Sequence, residues 1–335
     1  MKKIAVVGAL GAVGTEMLNI LAERGYQPEQ IIPFDIPANA GKTVKFAGKE
    51  LEVQATYPES FKGIDAALLA IAEYDSRDLA PKIVEQGCVV VDNSSSWRMD
   101  PEVPLVIPEV NPEDLEWHKG IIANPNCATI IAMVPLKSLH DYGSVKRIIA
   151  STYQAASGAG GAGLTELEQQ TRQALAGEEV EHKVFAHQLA FNLIPHIDYF
   201  EENGFTHEEM KMFTEGRKIL HLPELAVNCT CVRVPVYRSH SESITIETEK
   251  EISVEKAKEL LANAPGVVLV DNPEAKEYPM PKDSTMGNDI LVGRIRKDPC
   301  IKNALTFWCC GDQLRKGAAL NAVQIVETLI ARELI

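Results

Sequence analysis

Two side chains in the sequence have the chemistry of a nucleophile and a proton carrier. Cys127 lies in Asn124-Pro125-Asn126-Cys127-Ala128-Thr129-Ile130, and His240 in Tyr237-Arg238-Ser239-His240-Ser241-Glu242-Ser243. The cysteine follows turn-forming residues and opens an apolar run, Ile130 to Val134, that can be helical. Asn126 suits the N-cap, which puts the Cys127 sulfur in a first helical turn, beside N–H groups with no partner inside the helix. That setting favours the thiolate, the form that attacks carbonyl carbon. A small buried cysteine under a helix start is the other reading of the same stretch. His240 sits in a Ser/Glu-rich turn after a strand, whereas His118, His182 and His207 lie on polar, solvent-facing segments. Neither Cys309-Cys310 nor Cys229-x-Cys231 has the spacing of a zinc site, so no metal is expected.

Other polar residues stand where they can serve such a pair. Gln154 ends the strand Val145 to Tyr153 and is followed by small residues from Ala155 to Gly163, which allow close approach of backbone to a substrate; a flexible loop before the helix Leu164–Leu175 is the alternative. Glu215 and Lys218, three apart, share a helix face and can read a zwitterion or phosphate, or form a surface ion pair. Arg98, in Asn93-Ser94-Ser95-Ser96-Trp97-Arg98, reads as an anion site or as a surface arginine stacked on Trp97. Arg233 lies on a strand, Thr230 to Val236. Arg233 and His240 are an odd number apart and face opposite sides of one regular strand, so a shared site requires a bend, for which Pro235 and the polar run 238–243 give the opportunity.

The elements that must position these residues begin at the N-terminus. Lys3 to Val7 is a buried parallel strand that runs into Gly8-Ala9-Leu10-Gly11-Ala12-Val13-Gly14 and a helix from Thr15. Glycines between strand and helix let the backbone approach a pyrophosphate, so Gly8, Gly11, Ala12, Val13 and Gly14 are dinucleotide-binding candidates. The strand Ile31 to Phe34 ends at Asp35, about 20 residues on, where a carboxylate can hold a ribose hydroxyl pair. Strands Ala66 to Ile71 and Cys88 to Asp92 flank a crossover helix, Ser76 to Glu85. The alternation implies a doubly wound parallel sheet of Rossmann type. Alternating strands Ser243 to Glu247 and Ile290 to Arg296 then indicate a mostly antiparallel sheet in an α+β second domain. The small-residue-rich helix from Gly317 to Leu334 can pack back on the first domain.

The composition sets outer limits. At 335 residues two domains are expected. A net charge of −14 and a pI near 5.1 argue against nucleic acid or an anionic membrane as partner, so an anionic substrate needs a local basic cluster. No stretch approaches the ~18 uninterrupted apolar residues of a membrane span. The cysteine usage fits a reducing cytoplasm.

Seven motifs in order make the sequence resemble the aspartate-β-semialdehyde dehydrogenase family over essentially its full length: Gly8-x-x-Gly11-x-x-Gly14, Asp92-Asn93-Ser94-Ser95-x-Trp97-Arg98, Asn124-Pro125-Asn126-Cys127-x-Thr129, Gln154-Ala155-x-Ser157-Gly158-Ala159-Gly160, Glu215-x-x-Lys218-Ile219, Arg233-x-Pro235-Val236-x-x-x-His240-Ser241-Glu242, and Leu314-Arg315-Lys316-Gly317-Ala318-Ala319. The resemblance implies Cys127 as nucleophile, His240 as acid/base and Gln154 beside the reacting carbonyl. It implies Arg233 as the clamp on the substrate carboxylate and Glu215 as the contact for its amino group. It further implies Arg98, Asn126 and Lys218 as phosphate contacts, and Ser157, Gly158 and Gln313 as cofactor contacts. The implied reaction is reductive dephosphorylation of β-aspartyl phosphate, in the biosynthesis of lysine, threonine, methionine and diaminopimelate. The implied assembly is a homodimer or homotetramer, built by a catalytic and dimerisation domain. The expected domains are 1–127 with a C-terminal helix at about 313–335, and 128–312.

The cofactor half departs from the family pattern. Members commonly carry a Ser-x-Arg-Ser-Ala-Gly segment for the 2′-phosphate of NADP, but Pro37-Ala38-Asn39-Ala40-Gly41 has no arginine and follows Asp35. A Ser-Ala-Gly-Gly-Ser turn is replaced by Ala70-Ile71-Ala72-Glu73-Tyr74; Leu10 stands where threonine is usual and Gln313 where asparagine is usual. The family implies NADP, while these residues lean to NAD. The competing readings are an N-acetyl-γ-glutamyl-phosphate reductase, which shares the cysteine–histidine logic, and a non-catalytic dinucleotide-binding paralogue.

Overall fold

The computed structural model describes residues 1–335. The chain forms two compact units, residues 1–126 with 318–335 and residues 127–317. Residues 313–317, expected with the C-terminal helix, group with the second unit, where the Gln313 side chain is bonded to Ser157 and Ser239. Ala318, by contrast, accepts from Asn124 of the first unit through its carbonyl.

The first unit contains β1 (Ile4–Val7), α1 (Ala12–Glu23), β2 (Ile31–Asp35), a small hairpin of β3 (Thr43–Phe46) and β4 (Lys49–Glu52), β5 (Gln54–Ala55), β6 (Ala66–Leu69), α2 (Glu73–Val84), β7 (Val89–Asp92) and β8 (Ile121–Ala123). Six strands form one parallel sheet in the order β5-β2-β1-β6-β7-β8. Every residue of β1 and β6 is buried, as continuous apolar strands must be when both faces are covered. The C-terminal helix, Leu320–Ala331, supplies part of that cover. Leu320, Val323 and Val326 join Met17 and Leu21 of α1 in the core. One turn of π-helix, Arg315–Ala319, precedes it where a continuous α-helix from Gly317 was expected.

The second unit starts with α3 (Cys127–Gly143), whose residues Ala128 to Leu136 are all buried. It continues through β9 (Val145–Gln154), α4 (Gly160–Ala176), α5 (His207–Ile219), β10 (Ala226–Arg233), β11 (His240–Thr248), α6 (Val254–Ala262), β12 (Val267–Leu269), the short α7 (Pro281–Ser284), β13 (Ile290–Lys297) and β14 (Ala304–Gly311). The sheet order is β10-β9-β11-β14-β13-β12. Its centre is antiparallel, but β10 runs parallel to β9 and β12 to β13, so the sheet is mixed. Helix α3 packs across β9, β11, β13 and β14, and α5 covers β10.

Between α4 and α5 the chain has little regular structure, and two buried side chains of α4 hold it. The Glu166 carboxylate accepts from the N–H groups of Lys183, Val184 and Phe185 at 2.8, 2.6 and 3.1 Å. The Gln170 carbonyl accepts from those of Leu189 and Ala190. These bonds give partners to backbone groups that an irregular segment does not pair within itself.

Two glycines of the first turn are fixed by crowding. Gly8 has φ +81, and a Cβ there would lie 2.4 Å from the Ala70 carbonyl oxygen; at Gly14 a Cβ would lie 2.1 Å from the Gly8 oxygen. Helix α1 therefore crosses the end of β1 closer than any side chain allows. Gly14→Ala is expected to destabilise the protein by about 2 kcal/mol or more through forced displacement of α1, measured as a drop in the midpoint of chemical denaturation; an unchanged midpoint would contradict this packing.

Candidate active site

Three neighbouring strands bring the polar residues of the second unit to one level. Arg233, the last residue of β10, is in register with Gln154, the last of β9. On the other side of β9, Ser241 of β11 pairs with Tyr153, so His240 and Gln154 share the opposite face one step further along. All three are buried: Arg233 7% exposed, Gln154 1% and His240 0%. The alternation problem posed by Arg233 and His240 is removed because they do not share a strand. The expected strand Thr230–Val236 stops at Arg233, and residues 234–237 follow the chain beyond Gln154: Val234 N–H donates to the Gln154 oxygen, and Ala156 and Ser157 donate to Val236 and Tyr237. Ser239, at φ +77, turns the chain back into β11. The Ser/Glu-rich turn expected at 238–243 is thus mostly strand. Its polar residues are buried because β11 lies between β9 and β14.

The Ala155 peptide groups hold the two charged-site residues. Its N–H donates to His240 Nδ1 at 3.0 Å, and its carbonyl accepts from Arg233 Nη1 at 2.7 Å. With Nδ1 occupied as an acceptor, the neutral imidazole carries its proton on Nε2, which is buried and has no partner. Burial, reinforced by the Arg233 charge and opposed by Glu208, lowers the His240 pKa to about 3, so the ring is neutral at physiological pH. Burial also lowers the pKa of Arg233, while the charges of Glu208 and Cys127 act the other way. Cys127 is the first residue of α3. Gln154 donates from Nε2 to Glu208 Oε1 at 2.9 Å, and its own Oε1 is buried without a partner.

Glycines make room for this arrangement. A Cβ at Gly158 would lie 2.6 Å from Arg233 Nη1 and 3.2 Å from His240 Cε1; at Gly317 it would lie 3.1 Å from Cys127 Cβ. Gln313 and Ser157 are joined: Gln313 Nε2 donates to Ser157 Oγ, and its Oε1 accepts from Ser239 N–H at 2.8 Å. Glu215 is buried and Lys218 half-buried on α5. No local signal in the sequence points to Glu208 or Phe185. The capping box Thr206-x-x-Glu209 marks the start of α5, but nothing local says that the intervening glutamate meets Gln154. Phe185, whose ring lies 5.9 Å from the Arg233 guanidinium, comes from the irregular segment before α5.

In the first unit Arg98 is 8% exposed. Its Nε donates to the Asn124 carbonyl at 3.0 Å and its Nη2 to the Asn93 carbonyl at 3.1 Å. The cation over Trp97 is Arg77, at 4.3 Å, so the reading of Arg98 as that stacked arginine is corrected. Asn126 is buried beside Cys127 in sequence. At the carboxyl ends of β1 and β2 a cavity of about 450 Å³ is lined by Gly8, Asp35, Ile71, Tyr74, Asp75 and Asp78 among others. Burial raises the Asp35 pKa, but hydrogen bonds from Asn39, Leu10 N–H and Ile36 N–H outweigh it and hold the carboxyl below its usual range. An adenosine fits this chemistry, with an ionised acceptor for ribose hydroxyls and an apolar floor at Ile71; no lysine or arginine lines the cavity.

Comparison with known proteins agrees with this architecture. Residues 3–118 match the family described as semialdehyde dehydrogenase, NAD binding domain, and residues 136–316 the semialdehyde dehydrogenase dimerisation domain. The aspartate-semialdehyde dehydrogenase of Aquifex aeolicus is 50% identical, covering 99% of both chains. This chain belongs to the aspartate-semialdehyde dehydrogenase family. Within it, a crystal structure of aspartate semialdehyde dehydrogenase II from Vibrio cholerae complexed with ASA superposes with a TM-score of 0.95 at 40% identity, over 99% of this chain and 98% of that one. The aspartate semialdehyde dehydrogenase from Candida albicans with NADP gives 0.78 at 25% identity, over 100% of both. As in the family, the fold is α/β with a nicotinamide-dinucleotide domain followed by a dimerisation domain, and the chain is an oxidoreductase. No helix is long and apolar enough to cross a membrane.

Two outcomes follow from the geometry. Gly158→Ala is expected to displace Arg233 and His240, raising KM for a carboxylate substrate about tenfold or more while thermal unfolding stays near wild type; unchanged steady-state constants would contradict the crowding. For His240 the folded pKa, about 3, lies below the ordinary 6.5, so the unfolded chain binds the proton that the folded chain refuses. Its contribution to stability is complete above about pH 6.5 and is lost as pH falls toward 3. In His240→Gln, denaturation midpoints measured across that window should fall less steeply with acid than in wild type, and an equal slope would count against a buried neutral ring.

Proposed function

We propose that the chain catalyses the NAD(P)-dependent reductive dephosphorylation of β-aspartyl phosphate to aspartate semialdehyde through a thioacyl intermediate on Cys127. The observation that carries the reading is the convergence of Arg233, Gln154 and His240 at the ends of three adjacent strands, with the charges of Arg233 and Cys127 favouring one another. The relative from Vibrio cholerae bound to ASA has the same fold.

In this reading Arg233 pairs with the substrate carboxylate, a bond made strong by the water-poor surroundings of both groups. The Cys127 thiolate attacks the acyl phosphate carbon, the carbon–oxygen π pair moves to oxygen, and its return expels phosphate and leaves a thioester. His240 Nε2–H donates to the oxygen on which charge develops, as do N–H groups at the start of α3. Because Ala155 holds Nδ1 as an acceptor, His240 enters as a donor. Of the acid/base role that the resemblance implies for His240 this keeps the acid part, and the helix start and Arg233 sustain the Cys127 thiolate. A nicotinamide held at Ser157, Gly158 and Gln313 would supply the hydride for reduction of the thioester to aldehyde, for which the Cys127 thiolate is the leaving group. Glu215 meets the substrate amino group, and Arg98, Asn126 and Lys218 contact phosphate.

For the cofactor, Gly8, Gly11, Ala12, Val13 and Gly14 approach the pyrophosphate, Asp35 takes the ribose hydroxyls, and Ser157, Gly158 and Gln313 serve the nicotinamide end. NAD is favoured over NADP, because a 2′-phosphate would enter a cavity lined by Asp35, Asp75 and Asp78 and by no lysine or arginine, while the neighbouring cation, Lys42, is held by Asn39. The chain acts as a homodimer or homotetramer, in the cytoplasm, in the biosynthesis of lysine, threonine, methionine and diaminopimelate.

Purified protein is expected to oxidise aspartate semialdehyde in the presence of phosphate, and Cys127→Ala to abolish turnover. An inactive wild type would sink the proposal, and activity confined to N-acetylglutamate semialdehyde would redirect it. With both dinucleotides assayed side by side, kcat/KM for NAD should at least equal that for NADP; a strong NADP preference would refute the charge argument.

A further inference from the structure

Glu208 is a buried carboxylate that no step above uses. It lies in the first turn of α5 and is 8% exposed. Its Oε1 accepts from Gln154 Nε2 at 2.9 Å, and its Oε2 from Lys211 Nζ at 3.0 Å, one helical turn on. Lys211 also donates to Asp198 at 2.9 Å. Although burial opposes it, Glu208 and Asp198 together hold Lys211 charged beyond the usual lysine range. The start of α5 is pinned to the sheet independently: Glu209 Oε2 accepts from Thr206 N–H at 2.7 Å and its Oε1 from Cys231 N–H at 2.9 Å. Glu208 is thus delivered to Gln154 by a helix start with little freedom to move.

An amide has two chemically opposite ends of nearly equal shape, and the partner decides which end goes where. An ionised carboxylate accepts only. Facing Glu208, Gln154 must present its NH2; the reverse orientation would set two acceptors against each other in a buried site. The carbonyl oxygen is then the end left over, and it is buried with no partner in the protein. Next to it in the sheet stands His240, whose unpartnered Nε2 is a donor for the same kind of reason, since Ala155 N–H occupies the other nitrogen.

We propose that Glu208 is a positioning residue for the reaction: it fixes the amide of Gln154 so that the carbonyl oxygen, and not the nitrogen, is offered to the substrate. This rests on the catalytic reading given above and deepens it. Gln154 becomes a hydrogen-bond acceptor, suited to an N–H or O–H of the bound substrate, and contributes nothing to an oxyanion. Stabilisation of the oxyanion falls to His240 Nε2–H and the N–H groups at the start of α3. Donor and acceptor stay separate because each is held from behind by a group of fixed polarity.

The test is a charge-conserving exchange. Glu208→Gln keeps the shape but lets the Gln154 amide turn over; kcat should fall about tenfold to a hundredfold with KM for the semialdehyde within about threefold of wild type. Gln154→Glu sets two carboxylates together and should be similarly impaired. The double variant, Glu208→Gln with Gln154→Glu, restores a donor at 208, one negative charge and a free acceptor oxygen at 154, and should recover at least about tenfold over the weaker single variant. The rate of Cys127 alkylation by iodoacetamide, read without turnover, should stay within about threefold across the set, showing that the nucleophile is intact. If Glu208→Gln fails to fold, Glu208→Asp, which keeps the charge, carries the comparison and should retain more kcat than Gln154→Glu. Wild-type kcat in Glu208→Gln, a loss appearing in KM alone, or a double variant no better than the weaker single would each overturn the proposal. A wild type that turns over no semialdehyde would instead remove the catalytic reading, and this proposal with it.

Discussion

The residue on which the site depends has no functional side chain. Ala155 gives its N–H to His240 and its carbonyl to Arg233, so one short stretch of backbone sets the tautomer of a histidine and the position of a cation. Both bonds exist because the chain passes from β9 into the Ala155–Gly158 turn between the ends of β10 and β11. Small residues are required there: Ala155 and Ala156 are fully buried, and a Cβ at Gly158 would intrude on both neighbours. Backbone groups cannot change protonation state, which makes them more constant anchors than side chains.

From that anchor the polarity of the site spreads outward by elimination. Ala155 takes one nitrogen of His240 and leaves a donor; Glu208 takes the nitrogen of Gln154 and leaves an acceptor. Orphaned polar atoms in a buried place are costly, and proteins keep them where a ligand will complete them. The Gln154 Oε1 and His240 Nε2 atoms are such a pair, and their burial accounts for the low pKa of His240 as well as for its readiness to donate. Glu242, two residues on along the same strand face, is fully buried with neither carboxyl oxygen bonded, and burial raises its pKa well above the ordinary value.

The acidic surface and the cationic chemistry are reconciled by the same segregation. The chain has a net charge of −14, yet Arg98 and Arg233 are buried and each donates hydrogen bonds to backbone carbonyls. The cavity at the carboxyl ends of β1 and β2, by contrast, is lined by Asp35, Asp75 and Asp78. In the proposed reaction, opposite demands fall to different places in the fold: an anionic substrate to buried arginines, and ribose hydroxyls, which suit acceptors, to Asp35.

The sequence by itself determined the nucleotide domain and marked the Cys127 stretch as the start of a helix. A continuous apolar strand, glycines at fixed offsets and an acidic residue about 20 positions later are local signals. So is Asn124-Pro125-Asn126-Cys127 before an apolar run, which the structure shows as the start of α3. The parallel sheet and the family were legible for this reason. The tertiary structure decided what depends on pairing across long separations. The serines and glutamates around His240 read as a turn, yet His240 begins a central strand, since polar residues are tolerated inside when β9 and β14 flank them. Arg233 and His240 conflicted on one imagined strand and agree on two real ones. Glu208, adjacent to a legible capping box, carried no local mark at all; its role is set by the docking of α5 against β10, and no spacing of letters encodes which buried amide it will face.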